Sequence, residues 1–179
     1  PVLETKFSSF IGMHQVPIVH GMTMAEYALM VNGEGWLKDK IKCELKYVTV
    51  LNYDHTTLYT LPVKSSPNLP TMSAVYLYPS LCLFEGTDIS IARGTDFPFQ
   101  AFGHPNLKDT FFSFTPRSIP GFSVNPPHLN KECKGYDLRS FGKNYFYNHR
   151  EIYLFWLIES YKQLGQHPNF FNSAFDKLA

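Results

Sequence analysis

The sequence predicts an α+β domain, with a mixed β-sheet flanked by about three or four helices and joined by long proline-rich loops. Three observations predict it. Helix start and stop signals recur at Thr23 to Glu26, at Thr71 and around Gly165. A β-branched alternating run lies between Cys43 and Leu51. Between these, prolines interrupt long stretches that show no sustained period.

In chain order, Thr23-Met24-Ala25-Glu26 has the form of a capping box, in which a hydroxyl and a carboxylate satisfy backbone N–H groups left free at a helix start. A helix should follow, with Tyr27, Ala28, Met30 and Val31 facing one way and Asn32-Gly33-Glu34-Gly35 as its stop. From Cys43 to Leu51, Leu45, Tyr47, Thr49 and Leu51 alternate with Lys46, Val48 and Val50, which predicts a strand. Lys64-Ser65-Ser66-Pro67-Asn68-Leu69-Pro70 forbids a regular element and forces a loop. Thr71 then caps a short helix over residues 72–78, ended by Pro79.

Leu81-Cys82-Leu83-Phe84 is an apolar run that suits a buried strand. Residues 85–95, dense in Gly and hydroxyl side chains, read as an irregular functional loop. Over residues 97–127 strand and loop alternate, with turns at Pro120-Gly121 and Pro126-Pro127. The last helix runs from about Arg150 to Gln163, carries Ile152, Phe155, Trp156, Glu159 and Tyr161, and closes at Gly165 and Pro168. No internal repeat or low-complexity tract interrupts this order.

A chain of 179 residues can bury one sizeable core, and 44% hydrophobic, 16% aromatic and 17% charged residues are the composition of a folded protein. A net charge of +1 without a Lys or Arg run argues against a nucleic-acid partner. The longest apolar stretches, such as Ile152 to Ile158, fall far short of the roughly 20 residues of a membrane span. Cys43, Cys82 and Cys133 match neither a zinc knuckle nor a redox pair, and read as small buried hydrophobes. The histidines show no metal-binding spacing, and no nucleophile elbow, P-loop or dinucleotide fingerprint appears, so neither metal nor cofactor is expected. Opening on Pro1 and stopping at Ala179, the chain reads as a processed or cut segment.

Three clusters are candidates for a site: residues 19–23, residues 66–70, and the stretch holding Glu85, Thr87, Ser90, Arg93 and Thr95. Glu85 follows four apolar residues at the edge of a core, where lost solvation suits a carboxyl for acid catalysis or sugar binding; alternatively it pairs with Arg93 and fixes the loop. Arg93, beside Gly94, presents a planar fork to a ligand carboxylate or to that same internal partner. His20 precedes a glycine and a helix start, where it either reaches a ligand or hydrogen-bonds locally. Asn68, held between two prolines, fixes its amide on a sugar hydroxyl or pins its own loop.

Read in order, Pro17-Ile18-Val19-His20-Gly21-Met22-Thr23, Ser66-Pro67-Asn68-Leu69-Pro70, Tyr78-Pro79, Cys82-Leu83-Phe84-Glu85-Gly86-Thr87 and Arg93-Gly94-Thr95 with Pro98-Phe99 resemble the NamZ-type exo-β-N-acetylmuramidase family, long catalogued as a domain of unknown function. The resemblance covers roughly residues 1–140. Gln100 departs from it, standing where a Glu is expected; it can hydrogen-bond but not transfer a proton, and it stays off the catalytic candidates.

The resemblance implies a single C-terminal domain over residues 1–179, with a motif-bearing part (1–140) and a C-terminal helical part (141–179), from a two-domain protein whose Rossmann-like N-terminal domain is absent. It implies hydrolysis of terminal N-acetylmuramic acid from the non-reducing ends of peptidoglycan fragments, in a cleft between the two domains. The main catalytic Glu is then expected in the N-terminal domain. Glu85 becomes a supporting acid or base, and His20, Asn68, Thr87, Ser90, Arg93 and Thr95 become substrate-binding residues, Arg93 toward the lactyl carboxylate. Implied partners are muropeptides and the chain's own N-terminal domain, in a periplasmic or secreted location. The segment alone is expected to be inactive, and the alternative is a non-catalytic carbohydrate-binding or interaction module.

Overall fold

A computed structural model of the chain describes residues 6, 8, 12–17, 19–141, 147–164 and 168–175. It divides into two compact units, Pro1–Tyr59 and Thr60–Ala179.

In the first unit, α1 (Met24–Gly33) starts where the capping box predicts. The Glu26 N–H donates to Thr23 Oγ1 at 3.3 Å, and the Thr23 N–H donates to Glu26 Oε2 at 2.7 Å. Glu34 closes the helix through its N–H to the Met30 carbonyl at 2.8 Å, and Gly35, at φ +71°, turns the chain away. A single 3₁₀ turn, Lys38–Lys40, follows. The Asn32 amide then takes both backbone groups of Cys43, at 2.8 and 3.0 Å.

The strand predicted over residues 43–51 does not form. These residues have no ladder partner, and Val48 and Leu51 are 95% and 84% exposed. Strand propensity expresses side-chain packing against neighbouring strands and a covered face, and among the described residues neither is supplied. Cys43 is exposed too, contrary to its reading as a buried hydrophobe.

The second unit holds the core. Helix α2 (Met72–Leu81) is capped by Thr71, whose hydroxyl accepts from the Ala74 N–H at 3.2 Å. It runs past Pro79, beyond the predicted stop. The proline sacrifices one helical hydrogen bond, while fully buried Ala74, Leu77 and Leu81 hold that face in place. The next apolar run is buried as predicted, but as a 3₁₀ helix (Cys82–Gly86) rather than a strand. A short buried run carries no period that separates the two.

Three short strands, β1 (Ala101–His104), β2 (Phe112–Phe114) and β3 (Cys133–Asp137), form an antiparallel sheet in the order β1-β3-β2. The α+β class therefore holds, and the sheet is antiparallel throughout the described residues rather than mixed. Helix α3 (Phe155–Gln163) begins later than predicted and has no side-chain cap at Leu154; Gly165, its expected stop, lies outside the described residues. Phe84, Phe99, Phe102 and Phe170 pack with Leu77, Leu81, Ile89, Ile91 and Leu107 into one cluster, against which Trp156, Leu157 and Tyr161 lean. Cys82 and Cys133 are buried as expected, and burial pushes their thiols up to about 11 and about 12. No helix among the described residues is long and apolar enough to cross a membrane.

Candidate functional site

Glu85 sits on the 3₁₀ helix that continues α2, and Arg93 eight residues on returns to it: the guanidinium Nη2 donates to Glu85 Oε1 in an ion pair whose two side chains are each 29% exposed. Backbone geometry aims the arginine. Ala92 and Gly94, on either side of it, are both left-handed, at φ +59° and +81°. At Gly94 a side chain is excluded, since a Cβ would meet the Arg117 carbonyl and lie 2.7 Å from Pro126. Phe99, also left-handed, lies 5.1 Å beneath the guanidinium and 5.1 Å from the Tyr78 ring. Burial raises the Tyr78 phenol, with smaller contributions from Cys82 and Glu85. The assembly is a partly buried ion pair with an aromatic floor.

The hydroxyl residues of this loop are turned to its own backbone. Thr87 donates to the Phe84 carbonyl at 2.8 Å and accepts from the Ile89 N–H at 3.1 Å; Thr95 does the same between Ala92 and Phe97, at 2.7 and 3.2 Å. Ser90 is fully buried, and its hydroxyl has no partner among the described residues. Asn68 donates from its side-chain amide to the Phe122 carbonyl at 3.5 Å and from its backbone N–H to the Ser66 hydroxyl at 3.2 Å. Gln100 accepts from the Thr71 hydroxyl at 2.8 Å, tying the cap of α2 to the loop before β1. In the first unit, exposed His20 accepts from the Met22 N–H at 3.0 Å and stacks on Tyr27 at 5.6 Å, in keeping with its local alternative. Of the predicted set, the structure thus brings Glu85 and Arg93 into direct contact.

A second constellation was not predicted. Paired backbone hydrogen bonds between Ser90 and Gly103, at 2.9 and 2.8 Å, stitch the loop after Glu85 to β1. They bring Asp88 beside His104, whose Nε2 lies 3.1 Å from Asp88 Oδ2. His128, held at φ +56°, places its Nε2 2.7 Å from the Asp88 carbonyl oxygen and 3.5 Å from Oδ1. The two imidazoles meet edge to face at 4.6 Å and are nearly buried, whereas Asp88 is half exposed. Residues 16 and 40 apart give no spacing signal, which is why the sequence concealed the trio.

Asp88, His104 and His128 are close enough to surround a cation, but their hydrogen bonds oppose it. His104 Nδ1 accepts from the Asn106 N–H at 3.1 Å, which puts the ring hydrogen of the neutral imidazole on Nε2. His128 Nε2 faces a carbonyl, which accepts only, so it too carries a hydrogen. Metal-bound histidines donate from their second nitrogen to an acceptor, and His104 does the reverse. The trio is a carboxylate satisfied by imidazole donors.

Comparison with known proteins places this architecture. Residues 1–73 match the family described as exo-beta-N-acetylmuramidase NamZ, N-terminal, and residues 76–179 match its C-terminal counterpart. The expected single domain over 1–179 thus spans two family segments that meet between residues 73 and 76. A curated relative from Bacillus subtilis (strain 168), peptidoglycan beta-N-acetylmuramidase NamZ, is 37% identical over 126 residues, covering 66% of this chain and 29% of that protein. The crystal structure of a DUF1343 family protein from Bacteroides fragilis NCTC 9343 matches with a TM-score of 0.94 at 48% identity, over 99% of this chain and 50% of that one. A second DUF1343 protein from the same strain shares the fold, at a TM-score of 0.57 and 20% identity over 82% and 43% of the two chains. The present chain therefore spans half or less of the length of these relatives, and on the match to its C-terminal part it belongs to the exo-β-N-acetylmuramidase NamZ family.

Proposed function

We propose that this chain is part of a peptidoglycan glycoside hydrolase that releases N-acetylmuramic acid from the non-reducing ends of cell-wall fragments, and that it supplies one wall of the substrate cleft. Family membership supports the reaction class. The observation that carries the local role is the Glu85–Arg93 pair, half-sunk above Phe99 and beside Tyr78, within the segment that matches the family. Glycosidic cleavage passes through an oxocarbenium-like transition state stabilised by carboxylates, and needs no cofactor. Glu85 acts as a supporting acid or base, and Arg93 meets the carboxylate that distinguishes a muramic sugar. The main catalytic carboxylate lies elsewhere in the longer protein, whose location is periplasmic or secreted.

A specific observation favours a second reading. Glu85 and Arg93 satisfy each other, while Thr87 and Thr95 spend their hydroxyls on the loop, as in a pre-formed binding surface without catalytic duty. The two readings separate in one assay. Release of N-acetylmuramic acid from a chromogenic muramic-acid glycoside is measured for the longer protein and its Glu85→Gln and Arg93→Lys variants. The hydrolase reading expects Glu85→Gln to lower kcat by about 10²-fold or more, the scale of one general acid or base. A binding module leaves the parent inactive while it still retains muropeptides. An active parent whose kcat is untouched by Glu85→Gln removes Glu85 from the chemistry.

A further inference from the structure

We propose that the pocket beside Asp88, His104 and His128 is a binding site for a small ligand that carries a carboxylate next to an amide. The cavity has a volume of about 460 Å³, within the range of small-molecule sites. Its polar lining is lopsided. Lys108 and Lys131 both reach it, and among the described residues neither ammonium has a carboxylate partner.

Sequence adjacency would have cancelled these charges, because Asp109 follows Lys108 and Glu132 follows Lys131. Asp109 and Glu132 instead line a neighbouring depression together with Lys108 and Lys134; neither acid lines the pocket, and among the described residues neither forms an ion pair with Lys108 or Lys131. Asp88 is the pocket's one acidic group among the described residues, and its carboxylate and carbonyl face two imidazole N–H donors, so it does not discharge the lysines. What remains is an excess of cation donors over a fixed imidazole wall.

The amide half of the ligand has its counterpart in Asn106 and Gln163. Both side chains line the cavity, and neither has a hydrogen-bond partner among the described residues. A primary amide offers a donor and an acceptor side by side, the pattern that pairs with another amide, while two ammoniums close on a carboxylate. Phe170 and Leu164 leave an apolar patch for the body of the ligand. Two kinds of molecule bring this chemistry, an N-acetylated sugar acid and the carboxyl end of a peptide. The inference rests on the pocket and stands apart from the Glu85 reading.

Imidazole resonances of His104 and His128 in the 179-residue chain provide a reporter inside the site. The probes are N-acetylmuramic acid, N-acetylglucosamine, which lacks the carboxylate, an acetylated dipeptide with a free carboxyl end, inorganic phosphate, and zinc ion. At least one of the two carboxylate probes is expected to shift both rings saturably, at least about tenfold more tightly than N-acetylglucosamine or phosphate, the worth of one charge-assisted contact. Which of the two does so identifies the source. The Lys108→Met/Lys131→Met double variant, with an unchanged melting temperature, should abolish that preference; because both lysines are exposed, folding is not at stake. Equal affinity for N-acetylglucosamine or phosphate, an undiminished preference in the double variant, no saturable shift with either carboxylate, or displacement of both ring hydrogens by zinc would each overturn the proposal.

Discussion

The two compact units of this chain have similar apolar endowments and opposite uses for them. In Thr60–Ala179, aromatic and aliphatic side chains converge on one cluster in which Phe84, Phe99, Phe102 and Phe170 are each 0–1% exposed. In Pro1–Tyr59, Val31 is the buried hydrophobic residue among those described, while Ile41, Tyr47, Val48, Val50 and Leu51 are more than half exposed. Both stretches are patterned for burial, but patterning yields structure only where a second surface arrives to cover it. The C-terminal unit brings that surface within itself, through its helices, its sheet and the loops between them. Residues 43–51 have an alternating face and nothing described to lay it on.

The largest expected effect tests whether stability follows this division. Phe102→Ala empties a site bounded by Phe84, Tyr136 and Trp156 at ring distances of 5.2, 5.2 and 5.8 Å, and should cost about 3–5 kcal/mol in denaturant unfolding. Val48→Ala, at a residue 95% exposed, should stay within about 0.5 kcal/mol. Similar losses at the two positions would mean that the N-terminal stretch is covered in solution, and the contrast between the units would collapse.

A middle-sized effect compares the two helix caps, which are alike in local chemistry and differ in surroundings. Thr71→Ala removes the acceptor of the Ala74 N–H and also strands Gln100, which is 5% exposed, so a loss of about 2 kcal/mol is expected. Thr23→Ala removes an exposed cap, with an expected loss of about 1 kcal/mol confined to α1. Amide exchange separates them: the first variant should speed exchange across the core of the second unit, the second only in residues 24–33. Restoring Thr71→Ser should recover most of the loss, since a serine hydroxyl serves both partners.

Local signals read best. The capping box at Thr23, the cap at Thr71 and the turn at Pro120-Gly121 are set by residues within a few positions of one another, and each forms as read. Reading failed where a partner distant in sequence decides. Residues 43–51 have no strand partner among the described residues, and Leu81 to Phe84 are buried in a helical rather than an extended form. The site divides in the same way. Glu85 and Arg93, eight apart on one loop, could be paired on the page, whereas Asp88, His104, His128, Lys108 and Lys131 meet only because β1 is stitched to one loop and β3 leads out of another. Thr87 and Thr95 look like ligand-binding hydroxyls in sequence because composition cannot show that their own backbone has taken them.

The smallest effect distinguishes the two caps by pH. Glu26 is held down to about 2, first by the Thr23 backbone N–H and then by His55, whose Nε2 lies 2.9 Å away; His55 in turn is raised by its hydrogen bond to Glu26. A depressed carboxylate contributes stability above its usual 4.5, lost as pH falls toward 2, and a raised imidazole contributes below its usual 6.5, lost as pH climbs through its folded value. Exchange protection of α1 should therefore peak between those limits and fall on both sides. In His55→Gln the alkaline fall should vanish while the acid fall persists, because the larger cause, the Thr23 N–H, is untouched. The cap of α2 is built from Thr71, Ala74 and Gln100, none of which titrates, so its protection should stay flat over the same range. Both groups of the Glu26–His55 pair are exposed, so added salt should shrink the alkaline fall in particular. A pH profile that survives His55→Gln unchanged would show that the ion pair does not bias the helix, leaving the hydroxyl and backbone contacts as the whole of that cap.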